Sequence, residues 1–164
     1  MPTSTEVAIA TTTLSSAAST ITFSSIPNTY TDLILVVNLS YTAGGATLMR
    51  FNSDTGSNYS YTYIYGDGTS AASGRGVDRT SIVVDLASGF DTTQFAMFKA
   101  NIFSYAGSTN KTVLLENSND KNGSGSVERS VRLWRNTNAI TSISLTHSAS
   151  TFTAGTTATL YGIL

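Results

Sequence analysis

The chain of 164 residues contains no cysteine, two prolines and a single histidine, and only 12% of its residues are charged. Without cysteine there is no disulfide framework and no thiolate metal site. One histidine, His147, rules out a two-histidine metal site. As a general base His147 would need a placed nucleophile, and no G-x-S-x-G elbow surrounds any serine, so the expectation for it is a surface or strand-end residue. The longest apolar run, Leu33-Ile34-Leu35-Val36-Val37, is far too short to span a membrane. Residues 1–20 carry no Lys or Arg and no apolar core, so no signal peptide is expected there. Nine basic against ten acidic residues give a net charge of −1, with no basic tract. That balance argues against nucleic-acid and membrane-surface partners.

What is present is Ser, Thr, Asn and Gly for the polar surface and 40% apolar residues for a core. A chain of this length buries enough surface to fold as one domain without staples. Residues 1–18 are polar and small, and are read as an N-terminal arm, flexible or laid on a neighbour; residues 19–164 are read as the domain. Along it, short segments of β-branched and aromatic residues are separated by Gly, Asn, Asp and Ser clusters. The segment 33–37 suits a central strand buried on both faces, approached through the turn at Pro27-Asn28. Strands are also expected at 19–23, 47–51, 59–65, 81–86, 95–103, 111–116, 127–133, 140–145 and 157–163. Residues 66–79 and 117–125 read as exposed loops. Nine or ten short strands without a good helical period predict an all-β fold of two antiparallel sheets, a jelly-roll-like β-sandwich.

Candidate chemistry is sparse. Asn52, Asp54 and Asn58 offer oxygens, but their spacing is not that of a calcium loop, and turn capping is the expectation. Glu116 and Glu128 are expected to pair with Arg129 and Arg132 rather than to act as a glycosidase pair. Sequons at Asn38, Asn58, Asn110 and Asn122 are ordinary in so Asn- and Ser-rich a chain. No catalytic, cofactor-binding or metal-binding residue is assigned. The alternation of residues 59–65 puts Tyr59, Tyr61, Tyr63 and Tyr65 on one face. With Trp134 they form a candidate surface, for packing against a sheet or a subunit, or for stacking on sugar rings.

Three stretches together resemble small β proteins of tailed-bacteriophage virions. SIPNTYTDLILVV, LMRFNSDTGSNYSYT, and NAITSISL followed by FTAGTTATLYGIL occur in that order from about Ile21 to the C-terminus. Thr156 stands where a serine is expected. The resemblance implies a non-enzymatic structural protein located in the virion. The form it suggests best is a capsid decoration or cement protein, commonly trimeric, bound to the major capsid protein or another virion protein. The alternative it implies is a tail-fibre or baseplate module that binds host polysaccharide.

Overall fold

The computed structural model describes residues 5–86, 90 and 92–164. Twelve strands are present among them: β1 (Glu6–Thr13), β2 (Thr20–Phe23), β3 (Asp32–Leu39), β4 (Thr47–Phe51), β5 (Tyr59–Gly66), β6 (Ala71–Arg79), β7 (Ile82–Val83), β8 (Ala96–Phe103), β9 (Lys111–Asp120), β10 (Gly125–Trp134), β11 (Ile143–His147) and β12 (Thr157–Ile163). Every pairing between them is antiparallel. They form an eight-stranded sheet, ordered β1-β12-β3-β8-β9-β10-β5-β6, and a four-stranded sheet, ordered β2-β11-β4-β7.

The winding is that of a jelly roll with additions. From β2 to β8 the chain alternates between the sheets, crossing from small to large at β3, back at β4, across for the hairpin β5–β6, back at β7 and across at β8. β11 then inserts between β2 and β4. The hairpin β9–β10 is added inside the large sheet, between β8 and β5, and β12 and β1 extend it beyond β3. The core lies between the two sheets. β3 alternates as expected of a strand with one dry face, burying Leu33, Leu35, Val37 and Leu39 against Phe51, Ile143 and Leu145 of the core. The central strand is therefore sealed on one face, and its other face is only partly covered. The apolar run at 33–37 arises because Ile34 and Val36 lie on that second face.

Five further expectations need correction. The count is twelve strands, not nine or ten. Residues 66–79 are not a loop: after a turn at Asp67, whose Oδ1 accepts from the backbone N–H groups of Thr69 and Ser70, they form β6. A strand of Ala, Ser and Gly has little propensity of its own; β6 exists because β5 pairs with it. Residues 117–125 are likewise the continuation of β9 and the start of β10, joined by a turn at 121–124. The strand expected at 81–86 shrinks to Ile82–Val83. The N-terminal segment, as far as it is described, is strand β1 on the edge of the large sheet, paired with β12 through a bulge at Ala8/Ala10. Residues 1–4 of the expected arm lie outside the described residues.

Candidate functional site

The strands β9, β10, β5 and β6 carry different chemistry on their two faces. On the inner face, register fixes the neighbours in rows. Trp134 stands beside Tyr59, Arg132 beside Tyr61, Ser130 beside Tyr63 and Glu128 beside Tyr65. Tyr59 and Trp134 are both buried, stacked with their ring centroids 6.4 Å apart, and belong to the core. They leave the candidate surface, and Tyr61, Tyr63 and Tyr65 remain as a partly buried ladder. Tyr63 and Tyr65 are stacked at 6.1 Å. The rings of Tyr61 and Tyr63 lie across Gly76 and Gly74 of β6, where any Cβ would come within 2.9 Å of them. The guanidinium groups of Arg132 and Arg79 sit 5.1 and 5.7 Å from the Tyr61 ring, within cation–π range.

Between this ladder and the core lies a set of buried polar groups. Arg132 is fully buried; it donates to Glu128 Oε1 at 2.8 Å and to Ser130 Oγ at 3.0 Å, and its Nη1 has no partner. Burial lowers the Arg132 pKa to about 10, a shift that the neighbouring Glu128 opposes. The second buried carboxylate, Asp85, accepts from the Thr47 backbone N–H at 3.1 Å, the Tyr41 hydroxyl at 3.1 Å and the Phe90 N–H at 3.2 Å. Burial raises it to about 6 despite those three donors. It ties the segment after β7 to β4, and Asn117 does the same from β9 by donating to the Val84 carbonyl at 2.6 Å. Each acid is enclosed and engaged by protein donors, an arrangement that fixes the fold and presents no carboxylate to a substrate. His147 ends β11, as a strand-end residue, but it is buried. Its Nδ1 accepts from the Ser150 N–H at 2.7 Å, and burial lowers its pKa.

The outer face reverses the usual polarity. Along β10 the buried residues are Ser126, Glu128, Ser130, Arg132 and Trp134, whereas Val127 and Val131 point to solvent. Val127 is 64% exposed, Ile64 of β5 is 62% and Met97 of β8 is 47%. They line a groove of about 830 Å³ together with Ser73, Glu116 and Arg129. The groove runs on past Phe95 and Asn38 into a second depression of about 710 Å³, flanked by Asp67 and Ser124 in the turns. Register sets Lys99, Glu116 and Arg129 side by side across β8, β9 and β10, an alternating charge row through the apolar floor. The Arg129–Glu116 pair, 3.9 Å apart, is exposed, and Glu128 faces the opposite side of the sheet. The ion pairing expected of these four residues thus forms as two separate pairs. Composition did not single out this face, since an exposed valine on an alternating strand reads as a core residue.

The stretches that carried the resemblance hold the fold. Asn52 Oδ1 accepts from the N–H groups of Thr141 (2.8 Å) and Ser142 (3.1 Å), and Asn52 Nδ2 donates to the Ala139 carbonyl (2.8 Å). Asp54 accepts from Gly56 N–H, Asn58 Nδ2 and Trp134 Nε1 at 2.7–2.9 Å. Partial burial raises the Asp54 pKa, but these three bonds outweigh it and hold the carboxyl below its ordinary value. This is turn capping, as the spacing of Asn52, Asp54 and Asn58 suggested. Asp32 Oδ1 accepts from Ser104 N–H at 2.6 Å, and the Tyr30 ring lies directly on Gly162. No family model matches the chain, and no curated protein matches it either.

Proposed function

We propose that the chain is a non-enzymatic structural protein of a bacteriophage virion, acting as a capsid decoration protein. The outer face of the large sheet would seat it on the major capsid protein. The observation that carries the reading is the reversed polarity of β10, beside the exposed Ile64 of β5. A sheet that buries Arg132 and Glu128 while exposing Val127, Val131 and Ile64 has an apolar face to cover. The groove is wide, Met97 and Arg129 in its lining are residue types that interfaces favour, and the Lys99-Glu116-Arg129 row that crosses its floor offers charge for a complementary partner. A stable seat would bury on the order of 1,000 Å² or more in all. The order of the resembling stretches along the chain supports the virion setting.

The test is saturable binding to bare capsids of the parent phage by the wild-type protein and by Val127→Asp and Ile64→Asp. Both positions are exposed, so the variants should fold. The reading requires that wild type binds and that both variants lose binding at least tenfold. Equal binding by all three contradicts it.

The second reading, a tail-fibre module for host polysaccharide, is favoured by one observation, the partly exposed stacked pair Tyr63 and Tyr65. It requires glycan affinity that Tyr65→Ala abolishes.

A further inference from the structure

The single imidazole sits where three connections meet. The links β1–β2 (14–19), β3–β4 (40–46) and β11–β12 (148–156) come together at one end of the sandwich. The Ala18 and Phe152 backbones exchange hydrogen bonds of 3.1 and 2.8 Å. Thr42 N–H donates to the Thr151 carbonyl at 3.0 Å, and Ser148 N–H to the Ala46 carbonyl at 3.0 Å. His147 is buried among them, only 8% exposed. Its ring centroid is 4.2 Å from that of Tyr41 and 6.0 Å from that of Phe152, the latter edge-on. The β3–β4 link presses so closely on the ring that a Cβ on Gly45 would come within 2.3 Å of it.

The hydrogen bonds fix the tautomer. The backbone N–H groups of Ser150 (2.7 Å) and Ala149 (3.3 Å) both point at Nδ1. Nδ1 is therefore a bare acceptor, and the hydrogen of the neutral ring is on Nε2, which is buried without a partner. An imidazolium has two donors and no acceptor, so protonation would turn an N–H toward two others. Ser150 Oγ, 2.9 Å from Nδ1, can accept the new hydrogen, but both amides then lose their acceptor, and an unpaired amide is costly. Among the described residues no carboxylate bonds the ring to offset this. The residues 14–19, 40–46 and 148–153 carry no acid or base besides Tyr41, and β4 sets Thr47 opposite His147. Arg50 of β4 contacts Thr146, on the other face of β11. Asp85 engages the Tyr41 hydroxyl at 3.1 Å, not the imidazole.

We propose that His147 is an acid-sensitive pin: the neutral ring holds the β11–β12 link on the end of the sandwich, and the protonated ring lets residues 148–151 open and uncover the Tyr41 and Phe152 rings. The direction follows from burial, which favours the neutral ring in the closed form and lowers the His147 pKa. Closure is thus fully stabilised above the ordinary value of 6.5 and weakens as the pH falls below it. The strands of both sheets stay paired, because their ladders do not pass through the imidazole. None of this depends on where the protein sits in a virion, so capsid binding can succeed or fail independently.

One histidine in the chain gives one set of imidazole resonances. The experiment is NMR of the wild-type protein from pH 7.5 to pH 4.5. Ring nitrogen shifts give the tautomer and the titration midpoint. Amide exchange, scaled to the intrinsic rate at each pH, gives the protection of Ser150 and Phe152, with Leu35 of β3 reporting opening of the whole fold. The expected result is an Nε2–H tautomer, a midpoint below 6.5, and Ser150 protection that falls about fivefold or more between pH 7.5 and pH 5. Leu35 should stay at least tenfold better protected throughout. In His147→Asn, whose Oδ1 keeps an acceptor that does not titrate, Ser150 protection should not change with pH. An Nδ1–H tautomer, a midpoint at or above 6.5, or flat Ser150 protection in the wild type overturns the proposal, and the wild-type spectra alone decide these three. Leu35 exchanging together with Ser150, or an equal loss of protection in His147→Asn, overturns it as well.

Discussion

Asp85 makes the fold's stability depend on pH in an unusual sense. Its ordinary pKa is 3.8, and burial raises it to about 6 in the folded protein. The folded state therefore binds this proton more tightly than the unfolded chain. Between pH 4 and pH 6 the native state holds a proton that the unfolded state has lost, so stability falls as pH rises through that window. The full difference corresponds to about 3 kcal/mol, from 1.36 kcal/mol per pKa unit. Other groups titrate too, so the comparison is between wild type and Asp85→Asn. The amide keeps the shape and one acceptor oxygen, while its NH2 group meets one of the donors Thr47, Phe90 or Tyr41, a fixed cost that does not vary with pH. Neither Tyr41, pushed far up by burial beside Asp85, nor Arg132, at about 10, titrates in the window. Urea unfolding at half-unit intervals from pH 4 to pH 7.5 gives both stabilities. The difference, wild type minus variant, should fall by about 2.4 kcal/mol from pH 4 to pH 7.5, because the unfolded carboxyl is already more than half ionised at pH 4, and should level off above pH 7. A difference flat to within half a kcal/mol, or one that rises, would refute the assignment of Asp85 as a sealed carboxylate.

Other outcomes follow from the same contacts. Arg132→Ala leaves Glu128 buried without its cation and should cost about 3–5 kcal/mol in urea unfolding, whereas Glu128→Leu combined with Arg132→Met should be close to neutral. Asp54→Ala removes the acceptor of the buried Trp134 indole and of two turn donors, for a loss of about 1–3 kcal/mol and a change in tryptophan fluorescence. Gly162→Ala sets a methyl group 2.3 Å from the root of the Tyr30 ring and should destabilise by about 1–3 kcal/mol, read as a lowered urea midpoint. Val127→Asp, on the open outer face, should change stability by no more than about 0.5 kcal/mol, so any loss of capsid binding is an effect on the surface.

How far the fold can be read from the residues varies with the element. The alternation of Tyr59 to Tyr65 and the boundaries 47–51 and 157–163 are legible because side chains of strong β propensity alternate there. β6 is not, because its stability comes from its neighbour: Gly74 and Gly76 look like loop residues until the Tyr63 and Tyr61 rings are placed across them. β1 is hidden for a similar reason, since a run of Ala and Thr becomes a strand only beside β12. The candidate surface was half legible. Period two placed the tyrosines on one face, but nothing local says that Tyr59 and Trp134 fall under the smaller sheet while Tyr63 and Tyr65 lie beyond it. The groove was the least legible part. On β10 Glu128 and Arg132 are buried although charged, and the signal that could have found it is the pairing of Arg132 with Glu128 four residues earlier on the same face as Trp134.

The most direct test of the account is where the protein sits and in how many copies, measured by gold-labelled antibody on intact virions together with quantitative gels against the major capsid protein. The account predicts label spread over the head at a copy number commensurate with the capsid lattice. Label confined to the tail at low copy, or absent from the particle, would contradict it.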